Sequence, residues 1–226
     1  MTMLTFAIGD IHGCSSKLLA LLENCEQFAD GKSNRYVFLG DYIDRGPDSR
    51  GVIELLVNDF RHFPSICLKG NHEAMLLAAF SGERWRVDLW LENGGDQMLE
   101  SYGVHDFQGL SQKHIEWMSR RPIYHDDGMR FFVHAGVDPW RSLYDQEEKV
   151  MLWAREHQFS HWDRDVGRLV VHGHTPLSSR QPDLRRHRLN LDTGAVFGGP
   201  LTAAVFNDKQ VCPIAFITDE GDITKL

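Results

Sequence analysis

Three features are missing from this sequence, and each absence disfavours a class of protein. No apolar stretch approaches the roughly 18 residues that a membrane-spanning helix needs. The first residues lack a basic segment, and Asp10 comes too early for a signal peptide. No run of Lys or Arg is present and the formal net charge is −8, whereas a general nucleic-acid surface needs clustered cations. We therefore expect neither a membrane nor a nucleic-acid partner.

The cysteines are too far apart in the sequence to indicate a disulfide or metal-binding framework, and the basic residues do not form a long cluster. Four cysteines lie far apart without a C-x-x-C pair, at Cys14, Cys25, Cys67 and Cys212. Reduced thiols in a cytoplasmic protein are the interpretation that this spacing favours. The nearest approach to a basic cluster is Arg185-Arg186-His187-Arg188, which we interpret as a solvated hairpin.

Length and composition fit one globular domain. With 226 residues, 42% of them apolar, the chain can bury a sizeable core. No repeat, low-complexity segment or linker divides it, so residues 1–226 are treated as a single domain. Residues from about 82 to 121 are predicted to form a helical insertion over one face. Its tryptophans Trp85, Trp90 and Trp117 are interpreted as the core of that insertion rather than as a substrate-recognition wall.

The apolar pattern predicts an α/β (α+β) fold. Short β-branched runs with turn signals after them occur at Leu4–Ile8, Tyr36–Leu39, Ile66–Leu68, Arg130–Val133, Leu169–Val171, Arg188–Leu191, Leu201–Phe206 and Pro213–Thr218. Helical patterns separate the early runs, which predicts βαβ units and a largely parallel sheet. The last four runs follow one another without a clear helix. We expect them to form a second, more antiparallel sheet packed against the first.

Five short polar motifs stand directly after predicted strands. They are Gly9-Asp10-Ile11-His12-Gly13, Gly40-Asp41-Tyr42-Ile43-Asp44-Arg45-Gly46, Gly70-Asn71-His72-Glu73, His134-Ala135-Gly136 and Gly173-His174-Thr175. Asp41 lies 31 residues after Asp10, and Asn71 lies 30 residues after Asp41. Each interval is about the length of a βα unit that returns the chain to the same sheet edge. In open α/β sheets that edge is where ligands bind.

The motifs contain enough donors for two neighbouring metal ions. Asp10 and His12, two residues apart on an extended segment, can bind one ion from the same face. Asp41 can bridge two ions because a carboxylate has two oxygens. Neutral oxygen and nitrogen donors complete the set at Asn71, His134 and His174. Mixed donors without thiolate suit Mn, Fe, Zn or Co better than Ca or Cu(I), and we favour Mn, with Fe or Zn as the alternative.

The charge balance of such a centre favours a phosphate ligand. Two divalent cations, together with Arg45 and Arg155, outweigh the charges of Asp10 and Asp41 and make the pocket locally cationic. The planar fork of arginine grips two phosphate oxygens. We therefore expect an acidic protein with a cationic site for a phosphate ester.

Hydrolysis of a phosphate ester needs an attacking water and an acid. A water bridging the two ions would be deprotonated near neutral pH and would attack phosphorus in line. His72 is the candidate general acid for the leaving alkoxide. Asp44, three residues after Asp41, is the carboxylate that would fix the tautomer of His72 and raise its pKa.

The ordered motifs resemble the phosphoprotein phosphatase family of metallophosphoesterases, and above all its small bacterial and lambda-phage-like serine/threonine phosphatases. The family pattern GDxHG…GDxxDRG…GNHE with two later histidines stands here as GDIHG, GDYIDRGP, GNHE, HAG and GHT. The segments Trp90-Leu91-Glu92-Asn93-Gly94-Gly95 and Leu191-Asp192-Thr193-Gly194-Ala195 are also similar to that branch. The likeness runs from about Gly9 to Gly199.

This resemblance implies a calcineurin-like β-sandwich of two mixed sheets flanked by helices. The first metal would take Asp10, His12 and Asp41, and the second would take Asp41, Asn71, His134 and His174. Arg45, Asn71 and Arg155 would hold the phosphate, with His72 as the acid and Asp44 behind it. The implied substrate is a phosphoserine or phosphothreonine protein or peptide, with phosphotyrosine proteins and small phosphoesters as further substrates.

Alternatives remain open at this point. Spacing does not decide which histidine of His172-Gly173-His174 is the ligand, although the family match selects His174. Glu73 is interpreted as a first-turn or supporting group rather than a ligand. The same scaffold is similar to the symmetrical diadenosine tetraphosphatases, which cleave a dinucleotide; Asp44-Arg45-Gly46 and Glu73 favour the protein phosphatase branch. A non-catalytic metal-binding module is a third possibility, disfavoured because no predicted ligand or acid is missing.

Overall fold

The computed structural model describes residues 3–58, 64–159 and 161–226. Its strands are β1 (Leu4–Ile8), β2 (Asn34–Phe38), β3 (Ser65–Cys67), β4 (Tyr124–Asp126), β5 (Arg130–Val133), β6 (Leu169–His172), β7 (Asp183–Leu184), β8 (Arg188–Asn190), β9 (Thr202–Asn207), β10 (Ala215–Thr218) and β11 (Ile223–Lys225). Its α-helices are α1 (Ser15–Ala29), α2 (Ser49–Asn58), α3 (Asn71–Ala79), α4 (Arg84–Trp90), α5 (Asp96–Tyr102), α6 (Gln112–Ser119) and α7 (Glu148–Trp153). The helices of this described part are not long and apolar enough to cross a membrane.

The strands form two mixed sheets. The first has the order β11-β10-β9-β1-β2-β3, in which β1, β2 and β3 run parallel and β9, β10 and β11 pair antiparallel. The second has the order β4-β5-β6-β8-β7, with β5, β6 and β8 parallel. This pair of mixed sheets flanked by helices confirms the fold class that the sequence predicts.

The core is divided between the two faces of the first sheet. On β1, Phe6 and Ile8 pack against the helices, whereas Ala7 lies in the cluster between the sheets with Phe132 and Phe206. Since both faces of the strand are covered, all five of its residues are buried and its sequence is almost continuously apolar.

The expected division of the strands between the sheets is wrong. The last strands do not make a separate antiparallel sheet: β9 pairs with β1 in the first sheet, with Leu4 opposite Asn207. β6 and β8 instead lie parallel to β5 in the second sheet. The apolar pattern marks a strand that is buried on both faces, but it carries no information about which edge the strand joins.

A buried arginine ties the two sheets together. Arg130 lies on β5 and is only 1% exposed. Its Nη2 lies 2.7 Å from Oδ2 of Asp127, and its Nη1 donates to the carbonyl oxygen of Asn207, the last residue of β9, at 2.9 Å. Burial alone would raise the pKa of Asp127, but the hydrogen bonds and charge of Arg130 outweigh it and hold that pKa below its usual value.

Replacing Asp127 with Asn should lower the free energy of unfolding by about 3 kcal/mol at neutral pH, because the Arg130 charge loses its buried partner. A depressed pKa stabilises the fold above the ordinary carboxyl range, and the contribution is lost as the pH falls through the folded-state pKa. The difference from wild type should therefore shrink as the pH approaches about 3. Urea unfolding at several pH values measures it.

The matched control is Asp88→Asn, which removes an exposed ion pair with Arg84 on α4. We expect that change to cost less than about 0.5 kcal/mol at any pH. Equal losses for the two variants would contradict a structural role for the Arg130–Asp127 pair.

Candidate metal centre

The five polar motifs meet at one edge of the two sheets. The backbone N–H groups of Ile11 and His12 both donate to the carbonyl oxygen of Asp41, at 3.1 and 2.8 Å, which joins the loops after β1 and β2. The N–H of Gly173 donates to the carbonyl oxygen of His134 at 2.8 Å, which joins the loops after β5 and β6. Residues that are far apart in the chain are thus fixed side by side by backbone hydrogen bonds.

Asp41 lies at the centre of the site. Its carboxylate is almost fully buried, with Oδ2 3.4 Å from Nε2 of His12 and Oδ1 3.4 Å from Nε2 of His134. Two groups of donor atoms, each within 4.8 Å of one another, share this carboxylate: His12, Asp41 and His72, and Asp41, His134 and His174. The two oxygens therefore face two adjacent places for a cation.

Asn71 completes the second group. It is the first residue of α3, and its Oδ1 lies 2.8 Å from both Nε2 of His134 and Nδ1 of His174. Since Nδ1 of His134 donates to the carbonyl oxygen of Leu39 at 2.9 Å, Nε2 of His134 presents a lone pair to the Asn71 oxygen. Two facing lone pairs repel each other unless they share a cation.

The histidines are held in the form that a metal requires. Nδ1 of His12 donates to the carbonyl oxygen of Ile43 at 2.9 Å, which leaves Nε2 facing the site. Burial lowers the pKa of both His12 and His174 to about 3, and it also lowers the pKa of His134. Neutral imidazole is the metal-binding form. Among the described residues, Nε2 of His72 and of His174 is buried without a hydrogen-bond partner. The unpartnered nitrogen of His174, together with the oxygen and nitrogen donors, fits a pair of divalent cations.

Asp10 stands slightly apart from the two donor groups. Both of its oxygens accept the backbone N–H of His174, at 3.1 and 3.0 Å. Gly173 makes this approach possible, since a Cβ there would lie 1.9 Å from Oδ1 of Asp10. Burial raises the pKa of Asp10, and the charges of Asp192 and Asp41 raise it further. A cation beside this carboxylate would counter both effects.

Asp192 is a further buried acidic residue near the site, and the sequence indicated no role for it. It follows β8, is 4% exposed and accepts the N–H of Gly194 at 3.1 Å. Burial, with the charge of Asp41, raises its pKa to about 7. The segment Leu191–Ala195 was a signal for the family branch, but the sequence alone did not show that it returns to Asp10.

His72 makes the contacts expected of a positioned acid. Its Nδ1 donates to Oδ2 of Asp44 at 2.7 Å, and its Nε2 lies 4.0 Å from Oδ2 of Asp41. Burial lowers the pKa of His72, but the charge of Asp41 and the hydrogen bond with Asp44 outweigh it, so that the pKa is raised. By distance His72 belongs to the first donor group. Its Nε2 has no hydrogen-bond partner in the described part of the chain and lies beside the place for a cation.

Trp90 is a second partner of Asp44 that the sequence did not identify. Its Nε1 donates to Oδ1 and Oδ2 of Asp44, at 3.0 and 3.2 Å, and the indole is fully buried. Trp90 is buried in the main core and also reaches the site, whereas Trp85 is 60% exposed, so the expected core position is wrong for Trp85. After Trp90, a kink at Gly94, with φ of 99°, separates α4 from α5, and the carbonyl oxygen of Gly94 accepts the N–H of Arg45 at 3.1 Å.

Glu73 organises the backbone around Asp41. Its carboxylate accepts the N–H groups of Asp41, Tyr42 and Gly70, at 3.0, 2.8 and 2.8 Å. Burial, with the charge of Asp41, raises its pKa to about 7. It contributes no atom to the donor groups, in agreement with its interpretation as a supporting residue.

Strained backbone is concentrated at the site. Five of the non-glycine residues with a left-handed backbone belong to the motifs: His12, Asp41, Asp44, Arg45 and His174, with φ between 44° and 70°. Such conformations cost roughly 1–3 kcal/mol each and persist where the surroundings over-determine them. The backbone hydrogen bonds between the loops and those accepted by the Glu73 carboxylate supply that constraint.

The arginines lie on the same edge. Nη1 of Arg45 donates to Nε2 of His12 at 3.1 Å. Arg155 follows α7, and its charge acts on the pKa of both His174 and Asp192: it adds to the lowering by burial at His174 and opposes the raising by burial at Asp192, which places it near them. Neither guanidinium forms an ion pair with a carboxylate of the described chain.

His172 lies outside the donor groups. Nε and Nη2 of Arg188 donate to its Nε2, at 3.1 and 2.7 Å. His174 therefore joins the site and His172 does not. Arg188 is itself only 5% exposed, so the expected solvated hairpin is wrong for this residue. The short β7–β8 hairpin keeps Arg186 exposed but turns Arg188 inward.

Comparison with known proteins gives relatives of two kinds. A family profile described as calcineurin-like phosphoesterase matches residues 3–210. Serine/threonine-protein phosphatase 1 of Salmonella typhimurium is 36% identical over 211 residues, 88% of this chain and 90% of that protein. The asymmetrical bis(5'-nucleosyl)-tetraphosphatase PrpE of Oceanobacillus iheyensis is 29% identical over 236 residues, 92% and 90% of the two chains.

Two solved structures are similar to this chain. The crystal structure of a candidate diadenosine tetraphosphatase has a TM-score of 0.67 and 26% identity, and the match covers 99% of this chain and 92% of that one. A cold-active protein tyrosine phosphatase has a TM-score of 0.70 over 99% of this chain and 78% of that one, but at 16% identity it shares only the fold.

The shared carboxylate predicts how metal binding responds to substitution. His12→Asn should remove one of two Mn²⁺ equivalents, whereas Asp41→Asn should weaken both, because only Asp41 belongs to both donor groups. Isothermal titration calorimetry counts the sites. His105→Asn, at an exposed histidine away from the centre, is the control and should bind as wild type does. The same number and affinity of bound Mn²⁺ ions in all three variants would contradict a bridging carboxylate.

Proposed function

This chain belongs to the calcineurin-like phosphoesterase family, and from that premise we propose that it is a metal-dependent phosphomonoesterase acting on phosphoserine and phosphothreonine in proteins. Phosphotyrosine and small phosphoesters are proposed as further substrates. The observation that carries the proposal is the buried Asp41 carboxylate between two histidine groups, directly beside the His72–Asp44 pair. The serine/threonine phosphatase named among the relatives supports the substrate class.

The residues of the site divide the reaction between them. Asp10, His12, Asp41, Asn71, His134 and His174 would hold two divalent cations, which supply Lewis-acid stabilisation of the phosphate and lower the pKa of the attacking water. We propose Mn²⁺, with Fe or Zn as alternatives, because the donors are oxygen and nitrogen without thiolate. The guanidinium groups of Arg45 and Arg155, with the Asn71 amide, would hold the phosphate oxygens.

Bond cleavage then requires a proton for the leaving oxygen. His72 is placed to give it from Nε2, because its Nδ1 proton is engaged by Asp44 and its raised pKa favours the protonated imidazole. Asp44 fixes the tautomer and the ring orientation. The indole of Trp90 in turn fixes Asp44, so that the helical insertion is part of the acid's support.

A dinucleotide hydrolase is the second candidate function. It is favoured by the PrpE relatives and by the candidate diadenosine tetraphosphatase structure. The curated relatives of this kind carry the description asymmetrical, whereas the sequence motifs suggested the symmetrical enzymes as the alternative. Both reactions need the same cations and the same acid, so the centre alone does not separate them. We also propose a cytoplasmic location, supported by cysteines that all remain unpaired.

The proposed function is tested by competing substrates. With Mn²⁺ bound, kcat/KM for a phosphoserine peptide should exceed that for diadenosine tetraphosphate, with phosphate release as the readout for the first and nucleotide chromatography for the second. His72→Asn should lose turnover of both substrates while still binding metal, which controls for a contaminating phosphatase. A higher kcat/KM for the dinucleotide would replace the proposal by the second candidate, and no turnover of either would leave a metal-binding module.

Trp90→Phe should impair the acid without emptying the metal centre. It removes one hydrogen bond to a buried carboxylate, so turnover of phenyl phosphate should fall about tenfold. Turnover of para-nitrophenyl phosphate should fall less, because its leaving group needs little protonation. The control is Trp85→Phe at a 60% exposed tryptophan of the same helix, which should match wild type. Equal losses on both esters would contradict the role of Trp90.

A further inference from the structure

A cavity of about 300 Å³ lies next to the metal centre. One wall comes from the loop after β6, with Pro176, Leu177 and Arg180, and the other from the loop after β8, with Gly194 and Phe197. The first loop begins just after His174, and the second just after Asp192. A volume of this size falls at the lower end of the range of ligand pockets and exceeds what a bare phosphate needs.

Phe197 offers an open aromatic face in this cavity. Its side chain is 55% exposed. It ends a short 3₁₀ turn between two glycines in left-handed conformation, Gly194 and Gly198. The guanidinium carbon of Arg45 lies 5.7 Å from the centre of the Phe197 ring. The ring therefore borders the proposed phosphate site directly.

A second guanidinium stands on the other side of Phe197. Nη2 of Arg180 donates to the carbonyl oxygen of Phe197 at 3.5 Å. Within the described ranges Arg180 has no carboxylate partner, whereas the exposed Arg185 and Arg141 are paired with Glu156 and Glu147. Arg180 also adopts a left-handed backbone with φ of 56°. An unpaired cation is thus held in place beside the site.

The surroundings of Arg180 define where an anion can bind. On its far side Arg180 also lines a larger cavity of about 680 Å³, together with Glu220 and Asp222 from the β10–β11 hairpin. These carboxylates repel an anion that extends past Arg180. A negative group is therefore most favourable at Arg180 itself. Arg180 and Arg45 both contact Phe197.

We propose that Arg180 and Phe197 form a leaving-group subsite that selects substrates with a second anionic group beyond the scissile phosphate. The scissile phosphate lies at Arg45, the body of the leaving group contacts Phe197 and Leu177, and the second anion meets Arg180. This inference rests on the proposed function. The second anion is either the carboxylate of an acidic residue near the phosphoserine or a further phosphate of a nucleotide, and both present oxygens to a guanidinium.

The test measures selectivity rather than activity. The substrates are three phosphoserine peptides that differ only in an acidic, a neutral or a basic residue near the phosphoserine, together with diadenosine tetraphosphate and para-nitrophenyl phosphate. Arg180→Gln should lower the ratio of kcat/KM for the acidic peptide over the neutral peptide about fivefold, chiefly through KM. Arg180→Glu should lower that ratio further and favour the basic peptide. Arg186→Gln, at an exposed arginine of the nearby β7–β8 hairpin, should leave all ratios as in wild type.

Each outcome decides a separate question. A wild-type protein that hydrolyses none of the substrates removes the proposed function, and the subsite with it. Turnover by wild type with ratios that Arg180→Gln and Arg180→Glu leave unchanged removes only the subsite. A loss seen with the acidic peptide identifies a carboxylate as the second anion, and a loss confined to diadenosine tetraphosphate, relative to para-nitrophenyl phosphate, identifies a phosphate; both support the subsite.

Discussion

A carboxylate that is buried between imidazoles is the constraint on which the rest of the site depends. Burial raises the pKa of Asp41, but four surrounding histidines outweigh it and hold the pKa well below its usual value. Burial lowers the pKa of three of those histidines, His12, His134 and His174, and so favours their neutral form. A lone carboxylate among neutral rings would be poorly stabilised in so dry a place. Cations shared by the carboxylate and the rings resolve this conflict, which is why we regard the arrangement as a metal centre rather than an ion-pair network.

The cost of holding that carboxylate is visible in the surrounding backbone. Asp41 is itself left-handed, and its N–H together with those of Tyr42 and Gly70 is held by Glu73. The carbonyl oxygen of Asp41 anchors the loop after β1. The parallel strands supply the rigid frame, and the loops between them carry the strain. This division explains why most of the candidate donors sit on loops, with Asn71 at the start of α3, although the site as a whole is buried.

Sequence reasoning was sufficient where the signal is local. Apolar runs and spacing over a few residues predict the strand-end motifs, the general α/β architecture and the bounds of β1 and β5 in the sequence. It failed where distant segments meet. No pattern in the sequence indicates that Trp90 contacts Asp44, which precedes it by 46 residues, or that Asp192 lies near Asp10. Arg188 shows the same limit, because a basic cluster gives no sign that one of its members turns inward toward His172.

The names of the relatives divide between protein phosphatases and dinucleotide hydrolases. The proposed centre would act on the phosphorus and on one oxygen of the leaving group, and both substrate classes present these atoms alike. Discrimination must therefore come from contacts that only one leaving group makes. The loops after β6 and β8 provide such a surface, since they start near His174 and Asp192 and carry the exposed side chains of Arg180 and Phe197. A change in these two loops would alter the contacts with the leaving group without disturbing the strained backbone at the donor groups.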